Sequence, residues 1–168
     1  MFGIDSAVSF YGKMLEDYDD FVEQPGSPRH AINCMLSAYH IAEWIWGDWL
    51  QTDYVTWTAL GIRDKPSFLA WVDQAQPWFR ITQAVANGSK HFASKLAKTK
   101  SSPTYAQDGY VEDGYQERML EVEVEDGRWI EAVIVVEEVV MFWSDFLKQY
   151  GPQNELPQPR NPFTSMAD

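Results

Sequence analysis

Apolar and polar positions alternate with helical period through most of the chain. Phe10, Met14, Phe21 and Val22 fall on one face and predict a helix over 6–22, with the Ser6 hydroxyl placed to cap it. Gln24-Pro25-Gly26 breaks that run. Ser27 and Pro28 then mark a second helix, a capping hydroxyl followed by a proline at the first helical position. It is expected to reach Leu50, with Ala31, Met35, Ala38, Ala42, Ile45 and Trp49 on one broad face. Thr52 to Leu60 reads as a short helical turn stopped by Gly61. Lys65-Pro66 opens a helix to about Gln74 that offers Phe68, Leu69, Trp71 and Val72 for burial. Pro77 opens another, to about Ala97, with Trp78, Ile81, Val85, Gly88, Phe92 and Leu96 as its stripe. Because that stripe continues in phase, Asn87-Gly88 is expected inside the helix rather than at a turn.

From Lys98 to about Gln116 the residues are polar and turn-forming, and a loop is expected. The pattern then switches to period two. Leu120, Val122 and Val124 alternate with Glu121, Glu123 and Glu125, a strand signature. Asp126-Gly127 is a hairpin signal, and Arg128 to about Val133 supplies the return strand. An apolar segment from about Ile134 to Tyr150 predicts a last helix that ends at Gly151-Pro152. The expected fold is therefore mainly α: a four- to five-helix bundle with one β-hairpin, at about 118–133, before the last helix. Residues 1–151 read as one domain, and residues 152–168, with four prolines, as an extended flexible tail.

Composition narrows the classes. Thirteen Lys and Arg against 25 Asp and Glu leave a net charge of -12, which opposes broad binding to nucleic acid or anionic membranes and allows RNA only through a local patch. No apolar run is long enough for a transmembrane helix, and the first residues lack the basic start and apolar stretch of a signal peptide. Cys34 is the single cysteine, so neither a disulfide framework nor a multi-cysteine zinc site is available. A cytoplasmic location is the expectation.

Two groups of residues are candidates for chemistry. On the second helix His30, Asn33, Ser37, His40 and Asp48 share an arc opposite the apolar face, with few of the Lys and Glu residues that normally solvate a helix. His30 and His40 are ~15 Å apart along a straight helix and cannot share one metal. His40 and Glu43, three residues apart, can converge on an ion only if a third ligand such as His91 or Asp48 joins them. No metal and no cofactor is favoured. On the later helix Arg80, Asn87, Lys90 and His91 lie on one polar face: a histidine as general acid or base, two cations for a phosphate and a polar neighbour. Cys34 and the run Trp44-Ile45-Trp46-Gly47-Asp48-Trp49 read as core, with Trp46 and Trp49 also suited to a dimer face.

Ala31–Leu50 (AINCMLSAYHIAEWIWGDWL) and Ile81–Phe92 (ITQAVANGSKHF), followed by Asp126-Gly127 and Trp143, resemble short bacterial and phage proteins similar to HEPN-like helical bundles. That family includes toxin and defence ribonucleases as well as inactive, purely structural members. The active pattern of the family is Arg, a polar residue, a few residues, then His. His91 matches the His and Asn87 the polar position, whereas Arg80 stands further upstream than the pattern places its Arg. The resemblance implies a helical protein, expected as a homodimer, that acts through protein interaction, in a phage-defence or toxin–antitoxin setting. The alternatives are a metal-independent ribonuclease using His91, a metal-binding protein around His40 and Glu43, and an acidic decoy that mimics nucleic-acid charge.

Overall fold

The computed structural model describes residues 2–88, 98–103, 118–124, 127–152 and 155–164. Their order is α1 (Ala7–Glu23), α2 (Pro28–Asp48), a 3-10 turn (Leu50–Thr52), α3 (Tyr54–Leu60), α4 (Lys65–Ala75), α5 (Phe79–Gly88), β1 (Thr99–Pro103), β2 (Arg118–Glu123), β3 (Trp129–Glu131) and α6 (Ala132–Tyr150). The mainly helical architecture with a hairpin before the last helix is present. The segment expected as a turn is the helix α3, which brings the described helices to six.

Local chemistry sets the boundaries. Ser6 accepts the Ser9 N–H while the Ser9 hydroxyl accepts from the Ser6 backbone, a reciprocal box that satisfies two of the donors a helix start leaves open. Ser27 caps α2, with Pro28 behind it. Two caps do not stand out in the hydrophobic pattern. Asp53 accepts from the Val55 and Thr56 amides and the Thr56 hydroxyl at the start of α3. Asp64 forms a second box with Ser67 and starts α4 one residue before Pro66. Gly61 closes α3 at φ +69°, a left-handed conformation in which a Cβ would be strained.

α2 is the central helix, and α1, α5 and α6 all pack on it. Trp143 of α6 is fully buried, and its indole N–H donates to the Ala38 carbonyl of α2 at 2.9 Å. Phe68, Phe79 and Phe146 surround that indole at centroid separations of 5.8–6.5 Å. The buried face of α5 differs from the expected stripe. Phe79, Thr82 and Ala86 are buried, while Trp78, Ile81 and Val85 are half-buried and flank the seam. Small side chains allow the close approach of backbones, and Thr82 meets its own polar need by donating to the Phe79 carbonyl at 2.7 Å. Asn87 and Gly88 are helical; Phe92 and Leu96 lie outside the described residues.

The hairpin gains a third strand. β1, expected within a loop, pairs antiparallel with β2 from Thr99↔Val122 to Pro103↔Arg118, and the sheet order is β1-β2-β3. Its polar sequence hides it from an apolar pattern, but Lys100 and Lys98, the residue just before the strand, match the glutamates of β2: Lys98 Nζ lies 2.5 Å from Glu123 and Lys100 Nζ 3.1 Å from Glu121. Lys100 also sits 4.5 Å from the Trp129 ring centroid, a cation–π contact. Val122 and Val124 turn to the buried side. β3 is shorter than expected because helical geometry begins at Ala132. Residues 155–164, the described part of the proline-rich segment, run along α1 and α6, with Phe163 buried against Tyr18 at 5.4 Å.

Trp143→Phe removes the hydrogen bond to Ala38 and part of the ring volume. It is expected to lower unfolding stability by roughly 2 kcal/mol in urea denaturation; a loss under about 0.5 kcal/mol, the range of an inert surface change, contradicts the central place given to this indole.

Candidate functional site

The polar arc of α2 does not converge on one solvent-facing site, because α1 covers much of it. His30 is buried, with Nε2 3.0 Å from Arg29 and Nδ1 3.8 Å from the Asp20 carboxylate. Ser37 is only 2% exposed. Its hydroxyl donates to Asp17 and accepts from Lys13 Nζ at 2.8 Å, and both partners belong to α1. Asp48 is exposed, but its carboxylate accepts the Ala7 amide at 2.8 Å and places negative charge at the N-terminus of α1, where the helix dipole favours it. Asn33 is exposed. His40 is half-buried, with its ring 5.0 Å from the Tyr39 ring. Three of the five residues thus tie α2 to α1. The scarcity of Lys and Glu on the arc was the sequence signal that a neighbouring helix, not water, faces it.

Ser37 and Lys13 juxtapose a hydroxyl and an amine, a pairing that elsewhere serves nucleophilic catalysis. Here the Lys13 ammonium is already matched by the Asp17 carboxylate, which also takes the Ser37 proton donor. The three groups act as a polar strut. Cys34, one turn away, is fully buried, and burial pushes its thiol pKa well up; such a thiol is unreactive.

The Glu43 carboxylate pairs with Lys65 at the start of α4. Among the described residues, no three His, Cys, Asp or Glu side chains are grouped so as to hold a metal ion. Glu43 also lines, with Asp5, Trp44, Gly47 and Asp48, a cleft of about 460 Å³. The carboxylates of Glu43 and Asp48 that reach it are already engaged by Lys65 and the Ala7 amide.

On α5, Arg80 is exposed and its Nε lies 3.4 Å from Asp73 of α4. Asn87 is half-buried further along the helix, ~10 Å from Arg80 along the axis. Lys90 and His91 lie outside the described residues. Between α2 and α5 the Gln83 amide approaches the Tyr39 hydroxyl at 3.5 Å, and the Tyr39 and Phe79 rings are 5.6 Å apart.

The tryptophan run fans out. Trp44 stacks on Phe10 of α1 at 4.9 Å, and Trp49 on Phe146 of α6 at 6.3 Å. Trp46 stacks between Trp57 of α3, at 5.5 Å, and Phe68 of α4, at 6.0 Å. Tyr54 then meets Trp57 edge-on at 5.0 Å, so a continuous series of rings runs from the core out to α3. At its outer end Tyr54 is 68% and Val55 82% exposed. Two buried carboxylates went unnoticed in the sequence, Asp19 of α1 and Glu137 of α6. Both hold residues 155–164. Charged residues on otherwise apolar helix positions were the only hint of them.

The chain matches no protein-family model, no curated protein and no solved structure. Among the described residues no helix is long and apolar enough to cross a membrane.

If the α2 arc is structural, its members should differ by burial. Ser37→Ala is expected to destabilise by roughly 1–3 kcal/mol, because it leaves the Lys13–Asp17 pair short of a partner, and Asn33→Ala to stay within about 0.5 kcal/mol. Thermal or urea unfolding of the two variants checks this. A Ser37→Ala variant more stable than the parent would instead be the signature of a strained functional residue.

Proposed function

We propose that this chain is a cytoplasmic, HEPN-like helical protein that acts by binding protein, first of all a second copy of itself, and not by catalysis. The observation that carries the reading is the surface of α3. Of the described α-helices, α3 is the one with no charged residue in its span, Tyr54–Leu60. It displays Tyr54 and Val55 in a protein of net charge -12.

Two copies of so acidic a chain repel each other over most orientations. The face of α3 is where they can meet with few carboxylates brought together, the Asp53 carboxylate at its start being engaged by the Val55 and Thr56 amides. Aromatic residues are also the ones that interface cores favour. The ring series behind Tyr54 holds Trp57 in place, so little side-chain freedom is left to lose on association. The resemblance of Ala31–Leu50 and Ile81–Phe92 to HEPN-like bundles, a family with non-catalytic members, supports the same reading. So does the engagement of Arg80 and Glu43 by neighbouring charges.

Light scattering after size exclusion is expected to give a dimer at roughly tens of micromolar chain, and Val55→Glu, which sets a carboxylate against the facing copy, is expected to give a monomer. Because like charges oppose the dimer, association should strengthen as salt rises. Association that weakens with salt points to an acidic surface capturing a basic partner, and a wild-type chain that stays monomeric overturns the self-pairing. Mixed total RNA should remain intact with and without EDTA; cleavage that survives EDTA and is lost in His91→Ala replaces this reading with a metal-independent ribonuclease.

A further inference from the structure

Residues 155–164 are held as a bound peptide is held. Among the described residues, no backbone–backbone hydrogen bond joins this stretch to the helices or the sheet. The amides and side chains of Arg160, Asn161 and Thr164 go instead to carboxylates. Asp19, 2% exposed, accepts from the Arg160 amide at 2.9 Å, Arg160 Nε at 3.4 Å, the Asn161 amide at 2.8 Å and Asn161 Nδ2 at 3.2 Å. Glu137, 7% exposed, accepts from the amide and the hydroxyl of Thr164. The Arg160 guanidinium also reaches Asp20 at 3.2 Å and Glu23 at 3.5 Å. Phe163 fills an apolar site on Tyr18. Pro157 lies over Gly12 of α1, so close that a single added Cβ at Gly12 would already touch the proline ring, at 3.7 Å.

These features describe a receptor and its ligand. The helices supply acceptors for main-chain N–H groups at two positions, three carboxylates for one cation, and a pocket for an aromatic ring. Main-chain recognition gives affinity for an extended segment, and the alternate side-chain sites give it a sequence. We propose that the groove formed by α1 and α6 recognises an extended segment of the pattern Arg-Asn-Pro-Phe-Thr, that residues 160–164 are its resident occupant, and that a partner protein carrying such a segment displaces them. The proposal rests on the reading that this chain acts by binding, but it uses a surface separate from α3.

The resident segment is attached to its groove, so its effective concentration is of order millimolar and it masks the site in the wild-type chain. The test uses the full chain with Arg160→Ala and Phe163→Ala, which weakens the occupant and leaves the groove intact. The probe is a fluorescent synthetic peptide of residues 155–164, followed by anisotropy. The double variant is expected to bind it at least about ten-fold more tightly than the wild type does. Adding Gly12→Leu, which fills the space under Pro157, should abolish that binding. A folded double variant that binds no peptide, or binds it no better than the wild type, overturns the proposal. Should the double variant fail to fold, hydrogen exchange on the wild-type chain decides. The Arg160, Asn161 and Thr164 amides should exchange faster with excess unlabelled peptide, and unchanged exchange overturns the proposal. A dimer that is lost in the double variant and kept in Val55→Glu assigns the groove to a second copy's segment and overturns the outside partner. Peptide binding by a monomeric chain keeps the groove and removes only the α3 pairing.

Discussion

The enclosure of α2 is the constraint on which the other elements depend. A helix packed by α1, α5 and α6 buries nine of its positions, and each of these must be small, apolar or matched by a polar group on a neighbour. Ala31, Cys34, Ala38 and Ala42 meet the first demand and let the surrounding helices come close. His30 and Ser37 meet the last one through Asp20, Asp17 and Lys13. The Trp143 indole combines both, filling space among three phenylalanines and donating to a carbonyl of α2. Residues that look like a site when α2 is drawn alone become joints once α1 is laid beside it.

The sequence disclosed the helices because their periodicity and caps are local properties. Ser6, Ser27 and Gly61 act where their chemistry placed them. What it did not disclose depends on which partner faces a residue. The stripe expected on α5 follows apolar residues at helical spacing, and packing buries Phe79, Thr82 and Ala86 instead, since close helix contact rewards small residues beside one large ring. β1 carries no apolar alternation; Lys100 within it and Lys98 just before it are set against the glutamates of β2. Only the path of residues 155–164 explains why Asp19 and Glu137 are buried. Of the candidate chemical residues, the α2 set was legible as unusual but not as structural, and Lys90 and His91 lie outside the described residues.

Charge is handled in two ways in this acidic chain. Where carboxylates gather, as on the last turns of α1, a single arginine is shared among three of them. On α3, whose span Tyr54–Leu60 holds no charged residue, charge is left out. This division leaves most of the surface repulsive toward other acidic chains and sets a small uncharged area at α3 beside it.

The hydrogen bonds of Asp19 span 141 and 142 residues of sequence. During synthesis α1 is therefore made long before the groups that satisfy its buried carboxylate, and the bond between Trp143 and Ala38 closes a separation of 105 residues. Helix α1 carries its own start signal at Ser6, but Asp19 lacks its partners until Arg160 and Asn161 have emerged. Completion of the first helix is thus tied to translation of the far segment, so a chain truncated before Arg160 carries an unmatched charge in its oldest part and is marked as unfinished by its own chemistry.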